Sequence, residues 1–462
     1  MAAEIVKSRS TLSNVHGKPT SIPTKPDKKV YTSDQLMKLS MKTGGKGGLP
    51  RNDQREFMSV LRLLDVKTPS EHKMLKIKIE RCSELFEDSE EYFEEGPVDA
   101  RKLVKKVFAY CIDISKLVQK SKEIHDIADS RRCRLKLGCD SGQQYLKVTL
   151  QNINIASNSV HYTLILAAGK VIESIENLRI LFGALKLQSL SEFEDEWGIS
   201  VDFKVAPMLW GIMGGKAKYP CPLCLWNTDL GLTYLPQEPR TLAHCNQMLS
   251  RLRTKFNNNR KKAIQCCSVE APAVIQDEPW RCLKFPSLHI HLLTNDVIKV
   301  LKSRLTDEER TRLDAERKAA GVVESPYEGG TLQGNNVVKF VKAVKKGDIY
   351  IKDDQLLNVL NASDDLRHTC FGNQRQPGAV DAVNTFIDAW SQAGLGVGVK
   401  VHLVQHHLLP LLNQLREDEG LGVWSEQACE SDNGVFKVIA QRYQHMDHGL
   451  VKAVEEHNFR RM

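Results

Sequence analysis

Three β-rich segments follow one another between residues 134 and 169, and they constrain the fold of this chain more than any other feature. The turn signals D-S-G and S-N-S separate them, so the strands have short connections and are predicted to form an antiparallel meander. A helical pattern and a further short strand follow, which favours an α/β architecture with one mixed sheet. In chain order, the segments are RLKLG, QQYLKVTLQNINI, VHYTLILAAG, SIENLRILFGAL and SVDFKVA.

Length and composition indicate an intracellular protein of more than one domain. A chain of 462 residues is long for one ordinary core and suggests two or three domains. Its hydrophobic content of 41% and charged content of 26% are typical of globular proteins. No run reaches the roughly 18 apolar residues of a membrane helix, and the start lacks a signal peptide, so we expect no membrane partner.

The first 130 residues are predicted to divide into two parts. Residues 1–50 contain nine Lys and Arg against three Asp and Glu. Such a segment buries too little apolar surface to fold alone, so we predict a disordered basic arm, either a solvated tail or a DNA contact. Residues 51–130 are predicted to be helical, because apolar side chains recur every three or four positions from Val98 to Ser121. The lysines on the other side of this helix make the region a candidate for DNA binding.

Residues 131–227 are expected to hold the first part of the α/β core, and residues 228–395 an insertion. The insertion begins as a polar, irregular stretch that contains the basic segment RLRTKFNNNRKK, residues 251–262. From Pro286 onward the chain is predicted to be mainly helical, with amphipathic patterns in four segments. These segments are HLLTNDVIKVLKSRL, NNVVKFVKAVKK, DAVNTFIDAWSQA and VHLVQHHLLPLLNQL.

A Cys-x-x-Cys pair, Cys221 and Cys224, lies in the segment YPCPLCLW. Disulfides are not expected inside the cell, and two thiolates at this spacing can bind one Zn²⁺ from a turn. A structural zinc site needs two more ligands. One candidate pair is His402 and His407, which lie little more than one helical turn apart.

Other residues compete with this distant histidine pair. His406 has a better spacing from His402 than His407 has, and it could take the place of His407. His244 and Cys245 would instead complete a small, local zinc finger. Ordinary buried thiols are the remaining interpretation, so the spacing alone leaves the ligands open.

Three carboxylates stand in segments that could converge on one metal site. Asp140 ends a predicted strand, Asp202 lies on a short strand, and Glu430 lies on a predicted helix with Glu426 one turn earlier. Carboxylate oxygens are hard ligands for Mg²⁺ or Mn²⁺, and two such ions can activate a nucleophile toward a phosphodiester. Each acid alone also fits a turn, a cap or a solvated face.

The order of these motifs along the chain supplies an independent reason to group them. The series resembles the catalytic region of the V(D)J recombinase catalytic subunit and its transposase relatives, the Transib and ProtoRAG elements. It is closer still to a group of uncharacterised, transposon-derived animal proteins. The resemblance extends from about Arg131 to Tyr443 and is most specific in GGKAKYPCPLCLW and KVHLVQHH. Its four segments are CDSGQQYLKVTL, VDFKVAPMLWGIMGGKAKYPCPLCLW, KVHLVQHHLLPLL and LGVWSEQACESDNGVFKV.

The resemblance implies a ribonuclease-H-like fold with a DDE acid triad, and a zinc bound from both sides of an insertion. Residues 396–462 would then hold the zinc-closing helices and the last acid, with Glu426 as the alternative to Glu430. The LHIHL element, residues 288–292, is expected to pack near the site without a chemical role. Matched by position, the acids are Asp140, Asp202 and Glu430, and the zinc ligands are Cys221, Cys224, His402 and His407.

The function that the resemblance implies is Mg²⁺- or Mn²⁺-dependent nicking of double-stranded DNA in the nucleus, followed by attack of a 3′-hydroxyl. By analogy, the protein would be a homodimer, with the need for an accessory protein left open. DNA affinity would come from the basic arm and residues 251–262. A second hypothesis is a domesticated or decaying descendant that binds DNA or protein without catalysis. The net charge of only +8 and the lack of an obvious sequence-reading domain favour it, and S-D-N-G follows Glu430 where the family has an aromatic or basic continuation. A third is a zinc-stabilised interaction protein without a nucleic-acid partner.

Overall fold

The structure is a computed structural model, and it describes residues 85–95, 102–124, 132–142, 144–154, 162–214, 217–284, 293–324, 332 and 335–461. All of these residues belong to one unit of the chain, Lys78–Met462. The predicted basic arm, residues 51–84 and the LHIHL element lie outside the described residues.

Six strands in the described part of the chain form one mixed sheet. They are β1 (Phe86–Glu95), β2 (Lys102–Cys111), β3 (Arg134–Gly142), β4 (Tyr145–Asn152), β5 (Thr163–Gly169) and β6 (Glu196–Val201). Their order across the sheet is β1-β2-β5-β4-β3-β6. Neighbouring strands are antiparallel except β3 and β6, which run parallel.

Helices account for most of the remaining regular structure among the described residues. Up to residue 284 they are α1 (Ile114–Ile124), α2 (Ile175–Ala184), α3 (Val205–Leu209), α4 (Leu242–Phe256) and α5 (Pro279–Cys282). From residue 293 onward they are α6 (Leu293–Arg304), α7 (Asp307–Ala319), α8 (Asn335–Lys346), α9 (Asp354–Cys370), α10 (Ala379–Gln392), α11 (Val399–His406), α12 (Leu408–Asn413), α13 (Gln427–Tyr443) and α14 (Gly449–Arg461). No helix of the described residues is both long and apolar enough to cross a membrane.

The predicted α/β core is confirmed in its main elements. β3, β4 and β5 form the antiparallel meander, and nearly all of their residues are buried, as in a sheet that is covered on both faces. The expected helix is α2, and the expected parallel strand is β6, which pairs with β3. The strand in SVDFKVA is shifted, because β6 ends at Val201 and the chain enters α3 at Val205.

The prediction of helical structure over residues 51–130 is wrong for most of its described part. β1 and β2 are ten-residue strands paired along their whole length, and only α1 is helical. The apolar residues of β2 recur at helix-like intervals, but Val and Phe also favour strands. This segment forms a strand because it pairs with β1 on one side and β5 on the other, and a local apolar pattern does not reveal such pairing.

The expectation of irregular structure after residue 228 is wrong at α4, a helix of 15 residues. Thr241 caps its first turn by accepting a hydrogen bond from His244 N–H, and Asn257 ends it in the left-handed conformation. Only Cys245, Leu249 and Leu252 are buried on this helix, so its apolar stripe is narrow. The mainly helical structure predicted after Pro286 is confirmed for the described residues by α6 to α14.

Two C-terminal helices cover the sheet and bring distant parts of the chain together. α13 packs on β3, β4 and β5, and α14 packs on β5, β2 and β1. Gly138 and Gly142 on β3 allow the close approach of α13, because a Cβ at Gly138 would lie 3.2 Å from Cys429 Sγ and one at Gly142 would overlap the side chain of Asn433. α14 is anchored by Asn458, whose side chain exchanges two 2.8 Å hydrogen bonds with the backbone of Ile165.

Candidate metal centre and acidic site

The Cys-x-x-Cys pair lies on a turn that its own neighbours hold in place. Cys221 and Cys224 are both buried. The backbone on both sides of Cys224 pairs with residues 238–240 through hydrogen bonds of 2.8 and 3.0 Å. The two thiols therefore project from a turn that the surrounding backbone fixes.

The buried side chain of Arg240 stabilises this turn. Its guanidinium group is fully buried and donates to the carbonyl oxygens of Cys221, Cys267 and Tyr219 at 3.0, 3.2 and 3.3 Å. A buried charge is tolerated when its donors are satisfied, and here three carbonyl groups satisfy them. Sequence reasoning missed Arg240, since its role depends on backbone groups that only the fold brings near it.

The histidines approach the thiols from the other side of the insertion. His402 lies on α11, and His407 lies at the junction between α11 and α12. The Trp226 ring stacks on the imidazole of His402, with a centroid separation of 4.4 Å and an interplanar angle of 10°. Trp226 therefore orients the imidazole of a residue that is distant in sequence.

The four side chains form a group with the dimensions of a tetrahedral metal site. Their ligand atoms all lie within 4.8 Å of one another. Cys224 Sγ lies 3.2 Å from His402 Nε2 and 3.3 Å from His407 Nε2, and Cys221 Sγ lies 3.6 Å from His407 Nε2. Tetrahedral Zn–S and Zn–N bonds of normal length place sulfur and nitrogen about 3.5 Å apart. The group can therefore bind a metal ion such as zinc.

The electrostatics of Cys221 and His402 suit metal binding. Burial raises the pKa of Cys221, but hydrogen bonds from Cys224, His402 and His407 outweigh it, so the pKa lies well below its usual value. Burial lowers the pKa of His402, which keeps the imidazole neutral. A thiolate beside a neutral imidazole is the protonation state in which cysteine and histidine bind metals.

The competing ligands are not part of this group. His406 contributes no ligand atom, although its ring centroid lies 4.9 Å from that of His402. Cys245 packs in a small apolar cluster with Leu249 and Leu252 on α4, and His244 precedes it on the same helix. Geometry therefore selects the distant histidine pair over the local zinc finger.

Asp140 and Asp202 lie at neighbouring positions in the sheet. The parallel register pairs Cys139 on β3 with Val201 on β6, so the two aspartates are the next residues along adjacent strands. Strands in a sheet are about 4.8 Å apart, which brings the two carboxylates to one edge. Asp202 follows the end of β6, and its Oδ1 accepts hydrogen bonds from the backbone N–H groups of Lys204 and Val205 at 2.9 and 2.7 Å.

Glu430 lies in the first turn of α13, and Glu426 immediately precedes that helix. Asn433, on the same helix, donates a hydrogen bond from Nδ2 to Asp140 Oδ2. This contact attaches the helix of the third predicted acid to the strand of the first. Glu426 is almost fully buried, and its charge acts on Lys136 of β3.

Sequence reasoning missed a fourth carboxylate, Glu173, which precedes α2. Its side chain is only 4% exposed, it pairs with Lys204 Nζ through Oε2, and its buried Oε1 has no hydrogen-bond partner. Burial raises the pKa of Glu173; Lys204 opposes this shift, and the charges of Asp202 and Asp140 add to it. Glu173 therefore belongs to the same acidic site as the two aspartates.

The acids are less tightly grouped than the metal-binding cysteines and histidines. Within the described residues, the compact group of potential metal ligands is Cys221, Cys224, His402 and His407. Asp140, Asp202 and Glu173 share one edge of the sheet, and Glu430 lies on the adjoining helix.

A buried ionic cluster lies between the sheet and the two C-terminal helices, α13 and α14. Lys147 on β4 and Asp432 on α13 are both fully buried, with Lys147 Nζ 3.2 Å from Asp432 Oδ2. Asp432 Oδ1 also lies 2.7 Å from His457 Nε2 and 3.3 Å from Arg461 Nη2, both on α14. The cluster joins the sheet and the two C-terminal helices at one carboxylate.

Comparison with protein-family models gives a match over part of the chain. Residues 93–238 match a family model described as a domain of unknown function, DUF8703. The matched segment contains Asp140, Asp202 and the cysteine pair, and it ends before the two histidines. No curated protein matches the chain.

Proposed function

We propose that this protein is a DDE-type DNA strand transferase of the transposase and recombinase kind, with a structural zinc ion. The observation that carries the proposal is the meeting of three distant segments at one edge of the sheet. Asp140 lies on β3, Asp202 follows the end of the neighbouring parallel strand β6, and Asn433 attaches the helix of Glu430 to Asp140. Carboxylates gathered in this way are the usual means of holding divalent ions at a phosphodiester.

The sheet supports the ribonuclease-H-like part of the proposal. An antiparallel meander followed by a helix and a strand parallel to the first is the core arrangement that the resemblance implies. A parallel bridge between Ile199 and Leu283 continues the sheet beyond β6 in the same sense. β1 and β2 extend the opposite edge through β5.

The oxygen donors of the acidic site suit Mg²⁺ or Mn²⁺. Asp140, Asp202 and Glu173 offer hard carboxylate ligands, and the unpartnered, buried Oε1 of Glu173 is an acceptor that a cation would satisfy. Such ions, when bound, activate the attacking oxygen and stabilise the leaving oxygen of a phosphodiester. The role of the chain is to hold Asp140, Asp202 and Glu430 in fixed positions around the scissile phosphate.

The zinc ion would serve as a structural clamp between the two parts of this site. Cys221 and Cys224 follow the strand of Asp202, whereas His402 and His407 precede the helix of Glu430. One metal bound by all four residues would hold these segments together across the insertion. Such support matters because catalysis requires the reacting groups to be fixed within a fraction of an ångström.

Exposed cations supply the expected DNA surface. Three basic residues stand at the end of α4 and three at the start of the 3₁₀-helix that follows it, and all six are exposed. We propose that they contact phosphates of double-stranded DNA, in the nucleus, with a homodimer bridging two DNA ends. The residues are Arg251, Arg253, Lys255, Arg260, Lys261 and Lys262.

A second candidate function is DNA binding without catalysis by a domesticated descendant. The hydrogen bond from Asn433 favours it, because an amide group satisfies one oxygen of Asp140. The two candidates differ in a nicking assay with Mn²⁺ on double-stranded DNA. Nicking that Asp140→Asn abolishes supports the strand transferase, whereas binding of DNA by the wild-type protein without nicking supports the descendant.

A further inference from the structure

Lys204 stands at the mouth of the acidic site, opposite a buried carboxylate. Its side chain is 59% exposed, whereas that of its partner Glu173 is 4% exposed. Asp202 fixes the backbone at this point by accepting the N–H of Lys204 at 2.9 Å. The ammonium group therefore reaches Glu173 from the solvent side, on a backbone that is already held in place.

The charges around Lys204 are unbalanced. Besides Glu173, the carboxylates of Asp202 and Asp140 act on its ammonium group. Three formal negative charges face one positive charge, which leaves a net charge of −2 for these four residues. A divalent cation at the carboxylates would repel the ammonium group, and the flexible four-carbon stem of lysine allows that group to move away.

We infer that Lys204 is the internal counter-ion of the acidic site, and that it contacts a phosphate group of the DNA once divalent cations hold the carboxylates. This inference rests on the proposed strand-transfer function. In the metal-free protein, Lys204 reduces the repulsion between the carboxylates. When metal binds, it is released toward the solvent side, from which a DNA phosphate would approach.

The test is the affinity of the full-length, zinc-loaded protein for Mn²⁺ in the absence of DNA, measured by titration with detection of free Mn²⁺ by electron paramagnetic resonance. Lys204→Met is expected to bind Mn²⁺ at least about threefold more tightly, because a positive charge next to the metal is removed. Lys204→Arg is expected to stay within about twofold of the wild type, since it keeps that charge. Lys302→Met is a matched control, because Lys302 also pairs with a glutamate, Glu324, but on α6.

Unchanged or weaker Mn²⁺ binding by Lys204→Met would overturn the inference while leaving the strand-transfer proposal intact. Failure of both the wild-type protein and Lys204→Met to bind Mn²⁺ would overturn the inference and the strand-transfer proposal together. A second readout is nicking at saturating Mn²⁺, where Lys204→Met is expected to be slower than Lys204→Arg because the phosphate contact is lost. Zinc content and circular dichroism confirm that each variant is folded.

Discussion

Asn433 Nδ2 donates a hydrogen bond to Asp140 Oδ2, so one side chain joins the helix that carries Glu430 to the strand that carries Asp140. Gly142 makes room for this contact, because a side chain at that position would collide with Asn433. The relationship brings together two residues that are 293 positions apart in the sequence. It is also the point at which the fold and the proposed chemistry depend on each other.

Replacing Asn433 by Ala is expected to lower the free energy of unfolding by about 1–2 kcal/mol, because a hydrogen bond to a carboxylate is lost. Urea denaturation monitored by circular dichroism measures this change. Asn413→Ala is the matched control: Asn413 accepts an exposed hydrogen bond from Arg375, so its loss should cost less than about 0.5 kcal/mol. Equal effects of the two substitutions would argue against a special role for the Asn433 contact.

The Cys–His group is expected to bind one zinc ion per chain. Cys224→Ser should lose this zinc and unfold at a lower temperature, because metal binding at a structural site contributes directly to folding free energy. Metal content by inductively coupled plasma mass spectrometry and a thermal melt give the two readouts. Cys267→Ser is the control, since this thiol lies outside the group. If the wild-type protein is purified without zinc and cannot take it up, the proposal of a structural zinc clamp is wrong.

Asp432→Asn is expected to destabilise the protein by about 3–5 kcal/mol, because it leaves Lys147 and Arg461 buried without their carboxylate. Denaturant unfolding at neutral pH measures the loss. Asp388→Asn, at an exposed position on α10, is the control and should change stability little. A loss no larger than that of the control would show that the buried cluster contributes little.

The lowered pKa of Asp432 predicts that the stability of the fold depends on pH. Burial raises the pKa of Asp432, but His457, Lys147 and Arg461 outweigh it, so the pKa lies well below the unfolded value of about 3.9. A depressed pKa stabilises the fold above the unfolded value, and this contribution is lost as the pH falls below it. The free energy of unfolding of the wild-type protein should therefore fall more steeply than that of Asp432→Asn between about pH 5 and pH 3, a range that includes the unfolded pKa.

The basic surface at the end of α4 is expected to dominate DNA affinity. Replacing Arg251, Arg253 and Lys255 by Gln should weaken binding to double-stranded DNA and reduce the salt dependence by about three units of slope. Fluorescence anisotropy over a range of salt concentrations measures both quantities. The control is the same change at three exposed cations of α7, which are Arg310, Arg312 and Lys318. Equal losses in both triple variants would indicate a general charge effect.

The parts of the fold that could be predicted from sequence are those with short-range signals. The meander β3 to β5 has alternating or continuous apolar runs between turn residues, and α8 coincides with the segment NNVVKFVKAVKK. β2 could not be assigned, because its apolar residues fit both a helix and a strand. Only pairing with β1 and β5 distinguishes the two, and both partners are set by the tertiary fold.

The candidate site likewise contains some residues that the sequence predicts and others that only the fold identifies. The spacing of the cysteine pair permits metal binding but leaves the other ligands open. The family resemblance selects, from several candidates, the two histidines that the structure places beside the pair. Arg240, Glu173 and Lys204 carry no motif. Their importance comes from a buried guanidinium, an unpartnered buried oxygen and an ion pair, and each of these arises only when distant segments meet.

The most direct measurement is the rate of Mn²⁺-dependent nicking of double-stranded DNA under single-turnover conditions. The wild-type protein is compared with Asp140→Asn and Glu430→Gln, and DNA affinity is measured in parallel by anisotropy. We expect each variant to lose at least about 100-fold in nicking rate, because it removes a charged ligand of the catalytic metal ions, while DNA affinity stays within about twofold. Nicking by both variants at the wild-type rate would contradict the account.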